Sequence, residues 1–369
     1  MKEINAILQL YRSRKMLNEH CAIAQVVHVE ESSYRREGAR MLVFESGVFE
    51  GGISGGCLEG DALKRSQMAI LRQKPSLVRY DTSKDNEIGV GLGCNGIIDV
   101  LIRPITENTR TLELLERCTQ GRSVHLLATV VALSGTIPGI SLGSCYYGDT
   151  LKMEFEDCSN TELKAFLEQC AIAVRSTKKS GMHTFEKDGA SAGIFLEYIP
   201  PRYHLAVFGD NYDLYPILKV AQVLDWEISL VGNLQKLDKS RLDGVHGLFD
   251  KEAALRPEID AHTAIVLMAH DYRTDYDNLK RYWNGNAAYI GCLGPRKRFD
   301  RILHDLKQSG ILIDERQEKR IFAPCGLEIG ANTPEEIALS LFGEILSVFN
   351  GKKGGMLREK EGPIHTRNY

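Results

Sequence analysis

The chain has 369 residues, with 46 Lys and Arg against 49 Asp and Glu and 43% apolar side chains. That length exceeds one minimal module and predicts two domains. The net charge of −3 gives no electrostatic reason to expect a nucleic-acid backbone or an anionic membrane as the main partner. No run approaches the ~18 apolar residues that would cross a bilayer, and the opening MKEINAILQLYRSRK lacks a signal peptide's apolar stretch, so a cytoplasmic protein is expected. Nine cysteines without a C-x-x-C predict reduced, mostly buried thiols, not a disulfide framework or a zinc site. Glycine is unevenly spread: ten of 34 fall in two windows, Gly47 to Gly60 and Gly89 to Gly96.

In chain order, Ile4, Ile7, Leu8 and Tyr11 have helical spacing and predict a packing helix to about Asn18. CAIAQVVHVE and RMLVFESGVFEGG follow as strand-like runs, linked by the polar ESSYRREG. Leu58 to Leu71 carries an apolar stripe with Pro75 beyond its end, a helix signature. IIDVLIRP is a further strand. Weaker signals then place a helix at Thr111 to Arg117, strands at Val124 to Leu133 and Ser144 to Phe155, a helix from Thr161 and the strand IFLEYI. No internal repeat is visible in the sequence.

Pro200-Pro201 marks the expected domain boundary, because proline fixes an extended connector and the pattern changes after it. Beyond it HLAVFG, WEISLVG, TAIVLM, AAYIGCLG and RIFAPCG alternate with helical stretches, including ones near Tyr276 to Tyr282 and from Arg296. Short buried strands alternating with helices predict a parallel, doubly wound sheet. Thr333, Pro334 and Glu336 predict a capping box that opens the last helix, with Gly351 past its end. The expected division is 1–200, 201–350 and a poorly ordered tail at 351–369.

The sharpest local feature is GGISGGCLEGD, Gly51 to Asp61, between a strand and a helix. Glycine pairs let backbone N–H groups approach a ligand, and a helix N-terminus favours an anion, so a phosphate or pterin-like group is expected there. Gly52, Ser54, Gly55, Gly56, Cys57 and Glu59 are the candidate contacts, against the alternative that the glycines only relieve a tight turn. The motif GLGCNG adds Cys94, Asn95 and Gly96. In the second half, a dinucleotide turn wants G-x-G-x-x-G. The sequence offers Gly209, then Asn211 and Leu214 at the other glycine positions, and Val231-Gly232-Asn233 without an acid. NAD is therefore not expected. Other strand ends supply His270, Gly291, Gly294, Arg296 and Gly326 as candidate contacts, with Lys297 and Arg298 beside Arg296 as a possible phosphate clamp. No residue is assigned a catalytic or metal-ligating role.

Taken in order, EGARMLV at 37–43, GGISGGCLEGD at 51–61, GCNGIIDVLIRP at 93–104, IFLEYIPPRYHLAVFG at 194–209, MAHDYRTDYDNL, YIGCLGPRKR and APCGLEIGANTPEEIALSLFGEIL resemble the XdhC/CoxI family of xanthine dehydrogenase accessory proteins. The resemblance implies an α/β chain in which a mixed α+β XdhC/CoxI-type domain precedes a Rossmann-like doubly wound parallel sheet. It implies an accessory factor rather than an enzyme. Such a factor binds molybdenum cofactor (molybdopterin) transiently, supports its sulfuration by a cysteine desulfurase, and inserts it into an apo molybdenum hydroxylase of the xanthine dehydrogenase type. A homodimer is implied as well. The chain departs from the family pattern at Tyr34-Arg35, at Gly209-Asp-Asn-Tyr, around Gly232 and at Gly294-Pro295-Arg296. An NAD(P)-dependent oxidoreductase with His270 near the hydride site, and a pure docking protein, are the alternatives.

Overall fold

The computed structural model describes residues 1–31, 33–81, 96–107, 109–149, 154–156 and 158–361. The chain divides into two compact units, Met1–Pro201 and Arg202–Tyr369. Among the described residues no helix is long and apolar enough to cross a membrane.

The first unit opens with α1 (Lys2–Lys15), then β1 (Cys21–Glu31), β2 (Arg40–Phe44), β3 (Phe49–Gly51), α2 (Glu59–Arg72), β4 (Ser76–Asp81) and β5 (Gly96–Ile105). These strands form an antiparallel sheet in the order β3-β2-β1-β5-β4. Next come α3 (Thr111–Cys118), β6 (His125–Ser134), β7 (Cys145–Asp149), β8 (Glu154–Glu156), α4 (Thr161–Thr177), β9 (Gly181–Lys187) and β10 (Ala190–Ile199). They form a second antiparallel sheet, β8-β7-β6-β10-β9.

Helix order, strand order and register repeat between the two halves. Gln25 lies opposite Arg40 and Ile23 opposite Arg103, as Thr129 lies opposite Cys145 and Leu127 opposite Glu197. Ser76 pairs with Ile102 as Gly181 pairs with Leu196. Each central strand carries a register shift at the same place, at Val27 in β1 and Val131 in β6. The unit is therefore a tandem duplication, although the sequence shows no repeat. The two bulge valines meet Leu101 and Phe195 in one buried cluster between the sheets. A polar layer joins the sheets as well. Arg40 of the first half bonds Glu197 of the second, while Arg103 of the first half donates to Cys145 of the second. Gln25 bridges them, donating to Glu197 (3.1 Å) and accepting from Arg103 (2.9 Å). Helix α2 packs with Ile53, Leu58, Ala62 and Ala69 on the outer face of the first sheet, and α4 packs with Leu163, Leu167 and Ala171 on that of the second.

The second unit contains β11 (His204–Phe208), α5 (Leu214–Val223), β12 (Glu227–Gly232), β13 (Gly247–Asp250), β14 (Thr263–Leu267), α6 (Tyr272–Tyr282), β15 (Tyr289–Cys292), α7 (Arg296–Gln308), α8 (Glu315–Glu318), β16 (Ile321–Phe322) and α9 (Pro334–Phe349). Its sheet is wholly parallel in the order β13-β12-β11-β14-β15-β16. Numbered within the unit this is 3-2-1-4-5-6, the arrangement of dinucleotide-binding Rossmann folds. The expected α/β architecture is present: a mixed α+β unit followed by a doubly wound parallel sheet. The capping box is present too, with Glu336 N donating to Thr333 Oγ1 and Thr333 N to Glu336 Oε2. Beyond α9, Leu357–Glu359 form a short 3-10 turn.

Candidate functional site

Strand directions in the first sheet place three connections at one end: the β1–β2 link, the β3–α2 turn and the β4–β5 link. The β3–α2 turn is built around Ser54 and Glu59. Glu59 Oε1 accepts from Ser54 N (2.8 Å) and Oε2 accepts from the Ser54 hydroxyl. Ser54 Oγ in turn accepts from Leu58 N (3.0 Å) and Gly56 N (3.3 Å), and the Cys57 thiol donates to it at 3.4 Å. Burial opposes ionisation of Glu59, but the Ser54 hydroxyl and the backbone N–H groups outweigh it and hold the carboxyl below its ordinary range.

The turn thus already holds one anion of its own, the Glu59 carboxylate. The side chain faces inward to fix the turn. Gly51 and Gly52 have packing reasons: Gly51 has φ +83° with the Arg40 carbonyl against its face, and a Cβ on Gly52 would lie 3.1 Å from Glu59 Oε1. Gly55 lies under the ring of Tyr34, where a Cβ would sit 3.3 Å from Cγ. Gly56, at φ +111°, and Gly60 face open space. Cys57 is exposed beside them.

Tyr34, which the sequence marks only as a departure from the family pattern, also lines a cleft of about 420 Å³ with Arg35, Arg36, Arg40 and Glu197. It thus walls this cleft from the glycine turn. Arg35 bonds Glu3, whereas Arg36 makes no ion pair among the described residues. The buried Arg40, Arg103, Gln25 and Glu197 were missed by sequence reasoning. Their only signal was one polar or charged residue inside each of several otherwise apolar strand runs. Of the second glycine window, Cys94 and Asn95 lie outside the described residues. Gly96 is buried at the start of β5, opposite Glu31.

The candidates of the second unit are dispersed. Gly209 closes β11, and a Cβ there would lie 2.6 Å from the Met268 carbonyl oxygen, so close strand packing explains it. Asn211 donates to the Ala269 carbonyl (3.2 Å), and His270, at φ +55°, meets Asp213 at 2.7 Å. Asp213 sits at the start of α5, where a pyrophosphate would need N–H donors and no carboxylate. Gly291 lies within β15 against the Tyr289 ring. Gly294, at φ +134°, faces the Arg298 guanidinium. Arg298 reaches inward to the Leu293 carbonyl and buried Asp275 (3.5 Å), so the expected three-residue clamp is reduced to exposed Arg296 and Lys297. Gly326, at φ +111°, packs on Ser340 and donates to Glu344 (2.8 Å). Among the described residues no cluster of three or more His, Cys, Asp or Glu is placed to hold a metal ion.

Comparison with known proteins bears on both units. The model of the XdhC Rossmann domain matches residues 205–345, and that of the XdhC and CoxI family matches residues 16–81. The chain belongs to the XdhC and CoxI family. It is 27% identical over 335 residues to a probable xanthine dehydrogenase subunit of Bacillus subtilis, covering 89% of this chain and 93% of that one. It is 20% identical over 342 residues to the molybdenum cofactor insertion chaperone PaoD of Escherichia coli, covering 93% and 87%. A crystal structure of a xanthine dehydrogenase from Bacillus halodurans matches with a TM-score of 0.71, over 94% of this XdhC-family chain and 97% of that chain. At 24% identity this last likeness speaks to the fold alone.

Proposed function

We propose that this chain binds molybdenum cofactor transiently at the loop end of its first sheet, keeps it while a cysteine desulfurase partner sulfurates it, and inserts it into a xanthine dehydrogenase-type molybdenum hydroxylase. The names of its relatives support the cargo. The observation that carries the choice of site is the duplication, which supplies an internal control. At the junction equivalent to the glycine turn, residues 157–160 lead into α4 without a glycine, and Asn160 caps the helix by accepting from Leu163 N. The hairpin equivalent to the β4–β5 link is closed by Asp188-Gly189 alone, both at positive φ, whereas residues 82–95 join β4 to β5. The second half therefore closes the same framework without a glycine turn before its helix and without a long link in its hairpin, so both windows belong to one half alone.

The residues fit such a cargo in a divided way. When bound, the cofactor supplies a dithiolene-held molybdenum centre and a phosphate on its pterin. The exposed Cys57 thiol and the open faces of Gly56 and Gly60 leave room for a soft centre. Glu59 excludes the phosphate from the same turn, and Arg36, across Tyr34, is the group suited to hold it. The protein is taken to work as a homodimer, and a light-scattering mass of one chain would refute that part.

The test is anaerobic incubation with molybdenum cofactor, gel filtration, and oxidation of the bound pterin to its fluorescent product. Co-elution is expected. Cys57→Ala is expected to retain less sulfurated cofactor than Cys118→Ala, since Cys118 is buried in α3 and burial pushes its thiol to about 12. Absence of pterin in the protein peak refutes the binding, and equal retention by the two variants refutes the role of Cys57.

A further inference from the structure

The second unit holds a cleft that the proposed function does not use. Its volume is about 530 Å³, within the range of small-molecule sites of roughly 300–1,000 Å³. It lies beyond the carboxyl ends of β11, β12, β13 and β14, against α6. In a 3-2-1-4-5-6 sheet this is the side of the crevice that receives a nucleoside. Its floor is apolar, from Phe208, Val231 and Ala269, and Asn278 presents an amide for a base edge.

The charges divide the cleft. On the β11–α5 side stand carboxylates. Asp210 accepts from Asn233 N (3.0 Å), and Asp213 follows at the head of α5, so a bridging pyrophosphate is repelled where a dinucleotide would place it. At the ends of β12 and β13 lysines enter the wall beside Glu252, while Asp271 and Asp277 line the cleft on the α6 side. An ordinary NAD site has an acid there to hold the ribose hydroxyls. This chain has Gly232, whose Cβ would lie 2.8 Å from the Gly209 carbonyl oxygen, and then Lys236 and Lys251 in the wall. Lys236 meets only Asp210, at 3.6 Å and largely exposed. Lys251 makes no ion pair among the described residues, and its field lowers the Asp271 carboxyl after the closer effect of Thr274. Arg281 on α6 is a second cation without an ion pair among the described residues. Arg256 is spent on the carbonyls of its own loop.

We infer that this cleft binds a nucleoside that carries a single phosphate on the ribose 2′ or 3′ oxygen, with Lys236 and Lys251 on the phosphate, and that it rejects a 5′-pyrophosphate. This does not depend on the molybdenum cofactor reading. The experiment is calorimetric titration of the full chain with 2′-AMP, 3′-AMP, 5′-AMP, adenosine, inorganic phosphate and NAD, with circular dichroism to show that variants stay folded.

Either 2′-AMP or 3′-AMP is expected to bind at least about tenfold more tightly than 5′-AMP, adenosine or phosphate, which is the weight of one charge-assisted contact. Its affinity should fall with ionic strength. Lys251→Ala and Lys236→Ala should each weaken it about tenfold, and NAD should give no heat. The inference is overturned if 5′-AMP or NAD binds as tightly, if phosphate alone matches the nucleotides, if neither lysine variant changes the affinity, or if no heat is seen with 2′-AMP or 3′-AMP.

Discussion

Replacing Glu197 by Ala tests whether the duplicated halves are held together by their polar layer. Glu197 is 6% exposed and Arg40 2% exposed, so neither charge is answered by water. The carboxylate accepts from Arg40 Nη2 and from Gln25 Nε2. Its removal strands a buried guanidinium whose other described side-chain bond is from Nη1 to the Gly38 carbonyl (2.6 Å), and Arg40 Nε has no partner already. Breaking a buried pair from one side costs about 3–5 kcal/mol, and the orphaned Gln25 amide lies within that range rather than adding to it. The expected loss is thus about 4 kcal/mol, a large share of the roughly 5–15 kcal/mol of a typical domain. Urea denaturation followed by far-UV circular dichroism measures it. Glu197→Gln, which keeps an acceptor but loses the charge, should fall between wild type and Glu197→Ala. The double change Arg40→Met, Glu197→Leu should recover most of the loss, because a matched apolar pair avoids the desolvation of both charges. A loss below about 1 kcal/mol for Glu197→Ala, or no recovery in the double variant, would refute this account of the layer.

The glycine turn carries a pH signature. The Glu59 carboxyl is lower when folded than its ordinary value of 4.5, so its contribution is complete above that pH and is lost as pH falls through the folded value. Cys57 should therefore become more reactive toward a thiol reagent that works in acid, such as a dipyridyl disulfide, as pH drops below about 4.5, and Glu59→Gln should abolish that step. Gly209→Ala should destabilise the second unit by about 1–3 kcal/mol, because its Cβ meets the Met268 backbone at 2.6–2.9 Å and strand backbone yields little. Both tryptophans, Trp226 and Trp283, lie in that unit, so their fluorescence reads its unfolding; an unchanged midpoint would show that Gly209 is not kept for packing.

Much of this architecture was legible because it is written in local chemistry. The buried strands of the parallel sheet are mainly apolar runs, broken only by such residues as His204, Ser229 and Thr263, and the start of α9 is spelled by Thr333, Pro334 and Glu336. The strands that went unread are edges. β4, β9 and β13 end their sheets and are mostly exposed or half-buried, so they lack the apolar pattern that burial imposes. Helix α6 begins at Tyr272, four residues before the expected start, because Asp271 caps it through Thr274 N. The strand expected over Ser144 to Phe155 is two strands. The duplication was invisible for another reason. Equivalent positions hold Gln25 and Thr129, Arg40 and Cys145, Arg103 and Glu197. What repeats is register, which backbone pairing and bulges preserve while side chains diverge.

That divergence bears on how the site is held. The carbonyl of Arg40 accepts from Gly52 N (2.8 Å) and lies against Gly51, so the entrance to the glycine turn is fixed on the first residue of β2. The side chain of that same residue is fixed by Glu197, on β10 of the second half. The second half, which lacks the glycine windows, thereby sets the position from which the turn departs. Gly38 belongs to the same device. At φ +92°, with a would-be Cβ 2.8 Å from Glu197 Oε1, it lets the β1–β2 link pass close enough for its carbonyl to accept from Arg40. The same link presents Tyr34 to Gly55. Two of the three connections at the loop end are thus referenced to one carboxylate across the duplication. The half without a glycine turn of its own thus fixes, through Glu197, where the turn of the other half begins.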